Sequence, residues 1–583
     1  MSFHQLFVTS SLCILFVFVD TGSALFLTKP PAKLLLISLD GFRHDYLELA
    51  RLAGINISAF ERIWRAGFRA MRVQNEFVTR TGPNHFSLAT GLHEESHGLV
   101  DNTFYDPKMN DTFHLSNLSQ VNDSRWFDVG AEPIWVTNER HGHRTAVNAW
   151  PGTQARIKGR VPSYVYPHYN FSIPFQKSID WMIEQLTKPD TTLGMLYHIE
   201  PDAQGHAYGP YSHQVLQAIG SINQDLAYLL QRVDMISSLR TSLNIIVTSD
   251  HGMTEVNHQR IIVLDKLLGG NIMYTSPGSS VRTVWALWPR SGVTAQDLYN
   301  KLIDKHKMMR VYLRENVPQN LHYKNSWRLA PVLLFAAPGW LIAETDEDVI
   351  SYSNTVRLTT ERSGEHGYTP EWPEMSPLLL ATGPGFRQHS GNRTIPVIHM
   401  VDIYPLMCYL LDLNEPAPTN GSLDRVYSLL QPRGVIFGSV GDRLSVVFVC
   451  LLVVVIAVSF MAFVLLGCRC LRADSVRLLR RRRLRKMQRK PSGQHPSGVY
   501  LQHQHHSSVQ STDNSLSMHT LSRSAQHLLS HDDAEEASSE NEDDEVDLFV
   551  GTSLQDPHVK RKQGEQDDMA WINMLHGSKP SYS

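Results

Sequence analysis

Cysteine is scarce in this chain, with 5 in 583 residues. That count excludes a disulfide-stapled scaffold and a cysteine-based zinc array, so any metal chemistry has to use histidine and carboxylates. An excess of one charge is missing too: 54 Lys and Arg stand against 57 Asp and Glu, a formal net charge of -3. No nucleic-acid partner is expected from such a balance. With 42% hydrophobic and 19% charged residues the chain is not a disordered polyelectrolyte, and its length allows a large buried core.

What is present begins with two apolar runs near the ends. Residues 1–24 carry LCILFVFV followed by TGSA, the pattern of a secretory signal peptide cleaved after Ala24, although the segment before the run has no Lys or Arg. Between Arg443 and Arg469 there is no Asp, Glu, Lys or Arg, and at about 1.5 Å per residue the run is long enough to span a bilayer. A basic block, LRADSVRLLRRRRLRKMQRK, follows it and belongs on the cytoplasmic face by the positive-inside rule. The expected organisation is a signal peptide over 1–24, an extracellular or lumenal domain with a short stalk over 25–443, a membrane helix over 444–467 and a cytoplasmic tail over 468–583. That is a single-pass type I protein of the cell membrane. The tail is rich in Ser, Gln and His with an acidic stretch from Asp532 to Asp547, a composition that cannot bury a core, so it is expected to be disordered, with partners the sequence does not identify. Seven N-x-S/T acceptors, at Asn56, Asn110, Asn117, Asn122, Asn170, Asn392 and Asn420, all fall on the outer side, as glycosylation requires. With the signal peptide gone, Cys408 is the one cysteine of the outer domain. Its apolar setting predicts a buried thiol.

Within the outer domain, three aliphatic runs end in an aspartate: KLLLISLDGF reaches Asp40, TLGMLYHIEPD reaches Asp202 and LNIIVTSDHGM reaches Asp250. Short continuous apolar runs read as strands buried on both faces, and helical patterns separate them. This alternation predicts an α/β fold with a mainly parallel sheet flanked by helices. Ligands gather beyond the carboxyl ends of such strands, so the three carboxylates should meet there. His206 follows Asp202 by four residues, His251 follows Asp250 directly, and His366 lies between glycine-rich neighbours in SGEHGY. Asp and His donors without thiolate suit zinc or a similar divalent cation.

The segment TGPNHFSLATGLHEESHG adds a nucleophile. Pro83 starts a helix well, which puts the Thr81 hydroxyl at a helix N-terminus, where backbone N–H groups and the macrodipole favour an anion such as phosphate.

Taken in order, LISLDGFR, TGPNHFSLATGLHEESHG, DNTFYDP, PDAQGH, TSDHGM and EHGY resemble the motifs of the ectonucleotide pyrophosphatase/phosphodiesterase family, within the alkaline phosphatase superfamily, over about residues 33–413. The single anchor makes the chain most similar to members four and five. The resemblance implies an alkaline-phosphatase-like sheet and two Zn2+ ions, one held by Asp40, Thr81, Asp250 and His251 and the other by Asp202, His206 and His366. It also implies that Thr81 attacks phosphorus to give a phosphoryl-threonine diester that water then hydrolyses. Asn102 and the Thr81 backbone N–H would hold a non-bridging phosphate oxygen. Nucleotide-cleaving members place an aromatic residue after the nucleophile, where this chain has Gly82; Tyr164 resembles their other base-stacking residue. The stretch NAWPGTQARIKGRVPSY resembles an insertion loop of those members, and its Arg156, Lys158 and Arg160 are candidates to meet terminal phosphates. The expectation is an ectoenzyme cleaving phosphodiester or pyrophosphate bonds of extracellular nucleotides. Its alternatives are a phosphodiesterase for lipid or choline-type headgroups and a non-catalytic surface receptor on the same fold.

Overall fold

The apolar run KLLLISL has all seven residues buried and forms strand β1 (Lys33–Leu39). Its side chains alternate between two cores: Leu34 and Leu36 lie in one cluster, Leu35, Ile37 and Leu39 in another. A strand divided in this way is covered on both faces, which is why its sequence is apolar throughout instead of alternating. In the computed structural model, residues 32–432 are described apart from 167–172, 258, 272, 279–280, 356–361 and 388–392, together with residues 440–487. The expected signal peptide and the expected tail beyond residue 487 lie outside the described residues.

The other strands that place the site are β2 (Phe68–Gln74), β3 (Arg144–Asn148), β4 (Tyr164–Val165), β5 (Thr191–His198), β6 (Leu243–Thr248), β7 (Thr254–Asn257), β8 (Arg362–Glu365), β9 (Leu379–Thr382) and β10 (Thr394–His399). Eight of the ten make one sheet in the order β10-β2-β9-β6-β1-β5-β3-β4. β1 pairs in parallel with β5 and β6, β3 with β5 and β4, and β10 with β2. The exception is β9, antiparallel to both β6 and β2. Seven of the eight strands therefore run in one direction and the sheet is mainly parallel, as expected, with β9 as its one antiparallel strand. The sequence of β9 is as apolar as that of its neighbours, and strand direction is set by the connection, which composition does not record.

One face of the sheet packs on α1 (Thr81–Thr90) and the segment 403–413, the other on α2 (Phe175–Thr187) and α4 (His213–Met235); the short α3 (Asp202–Tyr208) lies between β5 and α4. Cys408 is buried in the first of these cores, and burial pushes its thiol up to about 12, as an inert core thiol requires. A second, antiparallel sheet joins Tyr274–Thr275, Val284–Pro289, Met309–Leu313 and Val332–Ala336 around its own core. β7 and β8 form a separate two-stranded antiparallel ribbon between segments distant in sequence.

The 48-residue helix α5 (Val440–Met487) belongs to a second unit of the chain. Many apolar side chains along it, among them Ile456, Phe460 and Leu465, are exposed. Among the described residues no helix is long and apolar enough to cross a membrane.

Candidate metal centre and nucleophile

The parallel register brings the carboxyl ends of β5, β1 and β6 side by side, with Leu39 opposite His198 and Ser38 opposite Thr248. Asp40 therefore follows β1 directly, Asp250 lies two residues beyond β6, and Asp202 opens α3 after β5. Gly41 makes the turn: it has φ +64, its N–H donates to Asp250 Oδ1 at 3.2 Å, and a Cβ on it would come within 2.8 Å of the Asp202 side chain. Only glycine meets both demands.

Thr81 is the first residue of α1. Its Oγ1 lies 3.4 Å from His251 Nε2, and the same nitrogen is 3.4 Å from Asp40 Oδ1 and 3.2 Å from Asp250 Oδ2. Donors about 2.0–2.1 Å from a tetrahedral zinc ion would be separated by about 3.3 Å, and the three oxygens stand from the His251 nitrogen at that spacing, as ligands to one cation would. Around Asp202 a second set converges. His206 Nε2 is 3.4 Å from Asp202 Oδ2 and 3.1 Å from His366 Nε2, and His366 Nε2 is 3.8 Å from Asp202 Oδ1. All seven expected donors thus meet at one end of the sheet.

The histidines are oriented for the task. His251 Nδ1 donates to Gly252 O at 2.9 Å, His366 Nδ1 to Thr79 O at 2.8 Å and His206 Nδ1 to Gly364 O at 3.0 Å. A carbonyl can only accept, so each ring carries its proton on Nδ1 and turns the Nε2 lone pair toward the carboxylates, the tautomer a metal ligand needs. Two such lone pairs, on His206 and His366, face each other at 3.1 Å. They repel unless a cation or a proton stands between them.

Electrostatics agree. Burial, then the neighbouring carboxylates of Asp250 and Asp202, hold Asp40 well above the usual carboxylate range. Burial also pushes Asp250 upward, but His251 and His85 beside it keep its carboxyl below the ordinary value. Burial lowers His251, which favours the neutral ring. Among the described residues, Asp40 Oδ1 and Asp250 Oδ2 are buried with no hydrogen-bond partner. Buried anionic oxygens without donors are costly, and divalent cations would relieve them.

Asn102 accepts the Gly82 N–H on its Oδ1 at 2.8 Å, which makes its Nδ2 the donating end beside the N-terminus of α1. A Cβ at Gly82 would point at this Oδ1, 2.9 Å away, and at Leu115, 3.0 Å away. Tyr164 is not brought to the cluster. It sits in the edge strand β4, opposite Ala146 and so at the level of Gly194 in mid-β5, with its half-buried ring 3.9 Å from Lys188 Nζ. The insertion-loop cations are exposed; Arg156 donates to Gly159 O and Lys158 pairs with Glu132 at 3.3 Å.

Several contributors carried no signal of their own in the sequence. Tyr197 donates to Asp40 Oδ2 at 2.6 Å. His85 joins the Thr81 carbonyl at 2.7 Å and Ser38 Oγ at 2.8 Å. Arg80 donates to Thr283 Oγ1 at 3.4 Å, and Thr283 donates to the His366 carbonyl at 3.0 Å. Glu365 groups with His206 and His366 as a possible ligand set. Only its place beside His366 in the motif pointed to it.

Comparison with known proteins agrees with this geometry. A family model described as type I phosphodiesterase / nucleotide pyrophosphatase matches residues 34–369. The chain is 37% identical over 399 residues to ectonucleotide pyrophosphatase/phosphodiesterase family member 5 of Homo sapiens, covering 68% of this chain and 78% of that protein. It is 35% identical over 402 residues to a bis(5'-adenosyl)-triphosphatase of Xenopus laevis, covering 68% and 81%. Among solved structures, murine ectonucleotide pyrophosphatase/phosphodiesterase 5 matches with a TM-score of 0.61 at 37% identity, over 68% of this chain and all of that one. An inactive threonine-to-alanine form of that murine protein, in complex with AMP, matches with a TM-score of 0.62 at 36% identity, over 69% of this chain and 100% of that one.

Proposed function

The chain belongs to the type I phosphodiesterase / nucleotide pyrophosphatase family, and on that premise we propose that it hydrolyses phosphodiester or pyrophosphate bonds of extracellular nucleotides, with Thr81 as nucleophile and two zinc ions as cofactors. The observation that carries this reading is the convergence of Asp40, Thr81, Asp250 and His251 on one set of 3.2–3.4 Å spacings, with Asp202, His206 and His366 converging beside it.

Asp40, Asp250 and His251 with Thr81 would hold one ion, and Asp202, His206 and His366 the other. When bound, the ions would supply positive charge against the phosphate oxygens and the developing charge of the displacement. The chain's residues do the rest. Thr81 Oγ1 forms a bond to phosphorus as the bond to the leaving oxygen breaks, giving a phosphoryl-threonine diester, and water then releases the nucleoside monoester and restores the hydroxyl. Asn102 Nδ2 donates to a non-bridging oxygen, and the N-terminus of α1 favours the phosphate charge. Tyr197 and His85 hold Asp40 and the Thr81 carbonyl in register.

Relatives named as a bis(5'-adenosyl)-triphosphatase and a structure with AMP support nucleotides over lipid or choline-type headgroups. A complete donor set argues against a purely non-catalytic receptor. The topology proposed with this activity is type I, with the catalytic domain outside the cell membrane. The five described acceptor asparagines, Asn56, Asn110, Asn117, Asn122 and Asn420, are all exposed, which supports that orientation. The test is a substrate panel of a dinucleoside triphosphate, a nucleoside triphosphate, NAD and glycerophosphocholine on the zinc-loaded outer domain. Nucleotide cleavage is expected; cleavage of glycerophosphocholine alone would replace the substrate assignment.

A further inference from the structure

The two donor sets are unequal in charge. Around the first, Asp40 and Asp250 bring two carboxylates; around the second, Asp202 brings one, with two neutral imidazoles. Glu365 stands where the missing charge would be. Its Oε1 lies 3.6 Å from His206 Nδ1, on the side of the ring away from Asp202, and its carboxylate groups with His206 and His366 within 4.8 Å.

The position is built, not incidental. Glu365 ends β8, opposite Thr254 of β7, and Tyr352 donates to its Oε1 at 3.3 Å. This two-stranded ribbon approaches α3 closely at two glycines: a Cβ on Gly364 would meet Gly205 O at 2.5 Å, and a Cβ on Gly205 would meet Met253 at 2.9 Å. This contact brings the helix bearing Asp202 and His206 onto the strand that leads to Glu365 and His366.

On the two-ion reading above, we propose that Glu365 is a positioning carboxylate for the second ion. It acts through His206 by its charge: the Nδ1 proton goes to Gly364 O at 3.0 Å, and the carboxylate 3.6 Å from that nitrogen polarises the N–H and makes Nε2 a stronger donor. Carboxylate–histidine pairs behind a metal are worth about 10–100-fold in metal affinity. Glu365 need not touch substrate or ion for this.

The test is zinc stoichiometry and affinity by chelator competition on the folded outer domain of wild type, Glu365→Gln and Glu365→Asp. Gln keeps the size and an oxygen to accept from Tyr352 but removes the charge. The expected result is two ions per wild-type chain; in Glu365→Gln, one ion bound about 10–100-fold more weakly and the other unchanged; and partial recovery in Glu365→Asp. Two ions held as tightly in Glu365→Gln as in wild type would overturn the proposal alone. Equal weakening of both ions, with a lowered Tm, would also overturn it by reducing Glu365 to a structural role. A wild-type chain holding fewer than two ions would overturn the two-ion reading and this proposal with it.

Discussion

Thr81 can be separated from the ions by substitution, because Asp40, Asp250 and His251 still surround one point when its hydroxyl is gone. Thr81→Ala should therefore keep zinc content near that of wild type while turnover falls by more than about 10³-fold, as loss of a covalent nucleophile does; metal analysis beside an activity assay checks both halves. Asn102→Ala removes a donor aimed at developing charge, and kcat should fall by about 10²–10³-fold. Steady-state kinetics would contradict that role if only KM moved. At this scale the sequence was informative where chemistry follows a local rule. Asp40, Asp202 and Asp250 close apolar runs, and Thr81 stands two residues before Pro83, which lies in the first turn of α1. Tyr197, His85 and Glu365 were not legible as site residues, since their partners are Asp40, Thr81 and His206, chosen by tertiary approach. Tyr164 is a residue whose motif resembles a stacking position; its ring packs under Lys188 at the sheet edge, a contact the motif did not indicate.

Among the elements, α1 is tied to the loop that follows it by His97, whose Nε2 donates to Ser87 Oγ at 2.9 Å while its Nδ1 accepts the Leu99 N–H at 3.1 Å. Burial, first of all, lowers this histidine from 6.5 to about 3. The unfolded chain thus takes up a proton near pH 6.5 that the folded chain refuses until about pH 3, and stability contributed by the neutral ring is lost as pH falls through that window, at about 1.4 kcal/mol per pH unit. In saturating zinc, Tm should drop between pH 7 and 5, and less steeply in His97→Gln than in wild type; equal slopes would contradict this. The contact between α3 and β8 makes a second prediction. Gly364→Ala should cost about 1–3 kcal/mol by overpacking against Gly205 O, read in denaturant unfolding. β1, β5 and β6 were legible because burial on both faces leaves an uninterrupted apolar run. The antiparallel strands between 274 and 336 were not, since Tyr274–Thr275 offers two residues and the other partner of Val284–Pro289, Val332–Ala336, is distant in sequence.

For the whole molecule, one extended α/β domain over about residues 33–413 was legible from the spacing of its apolar runs and motifs, and the structure describes that domain over 32–432. The order of motifs also fixed the family before any contact was known. The reversed direction of β9 and the second antiparallel sheet were not legible, because both depend on how distant segments pair. The central claim is that the seven donors act as one bimetallic hydrolase centre, and its most direct measurement is release of AMP from diadenosine triphosphate by the outer domain as zinc-loaded, chelator-stripped and zinc-restored samples. Cleavage that is lost on stripping and returns with about two zinc ions per chain is the predicted result. Undiminished cleavage by a sample verified to be metal-free, or no cleavage by one carrying both ions, would contradict the account.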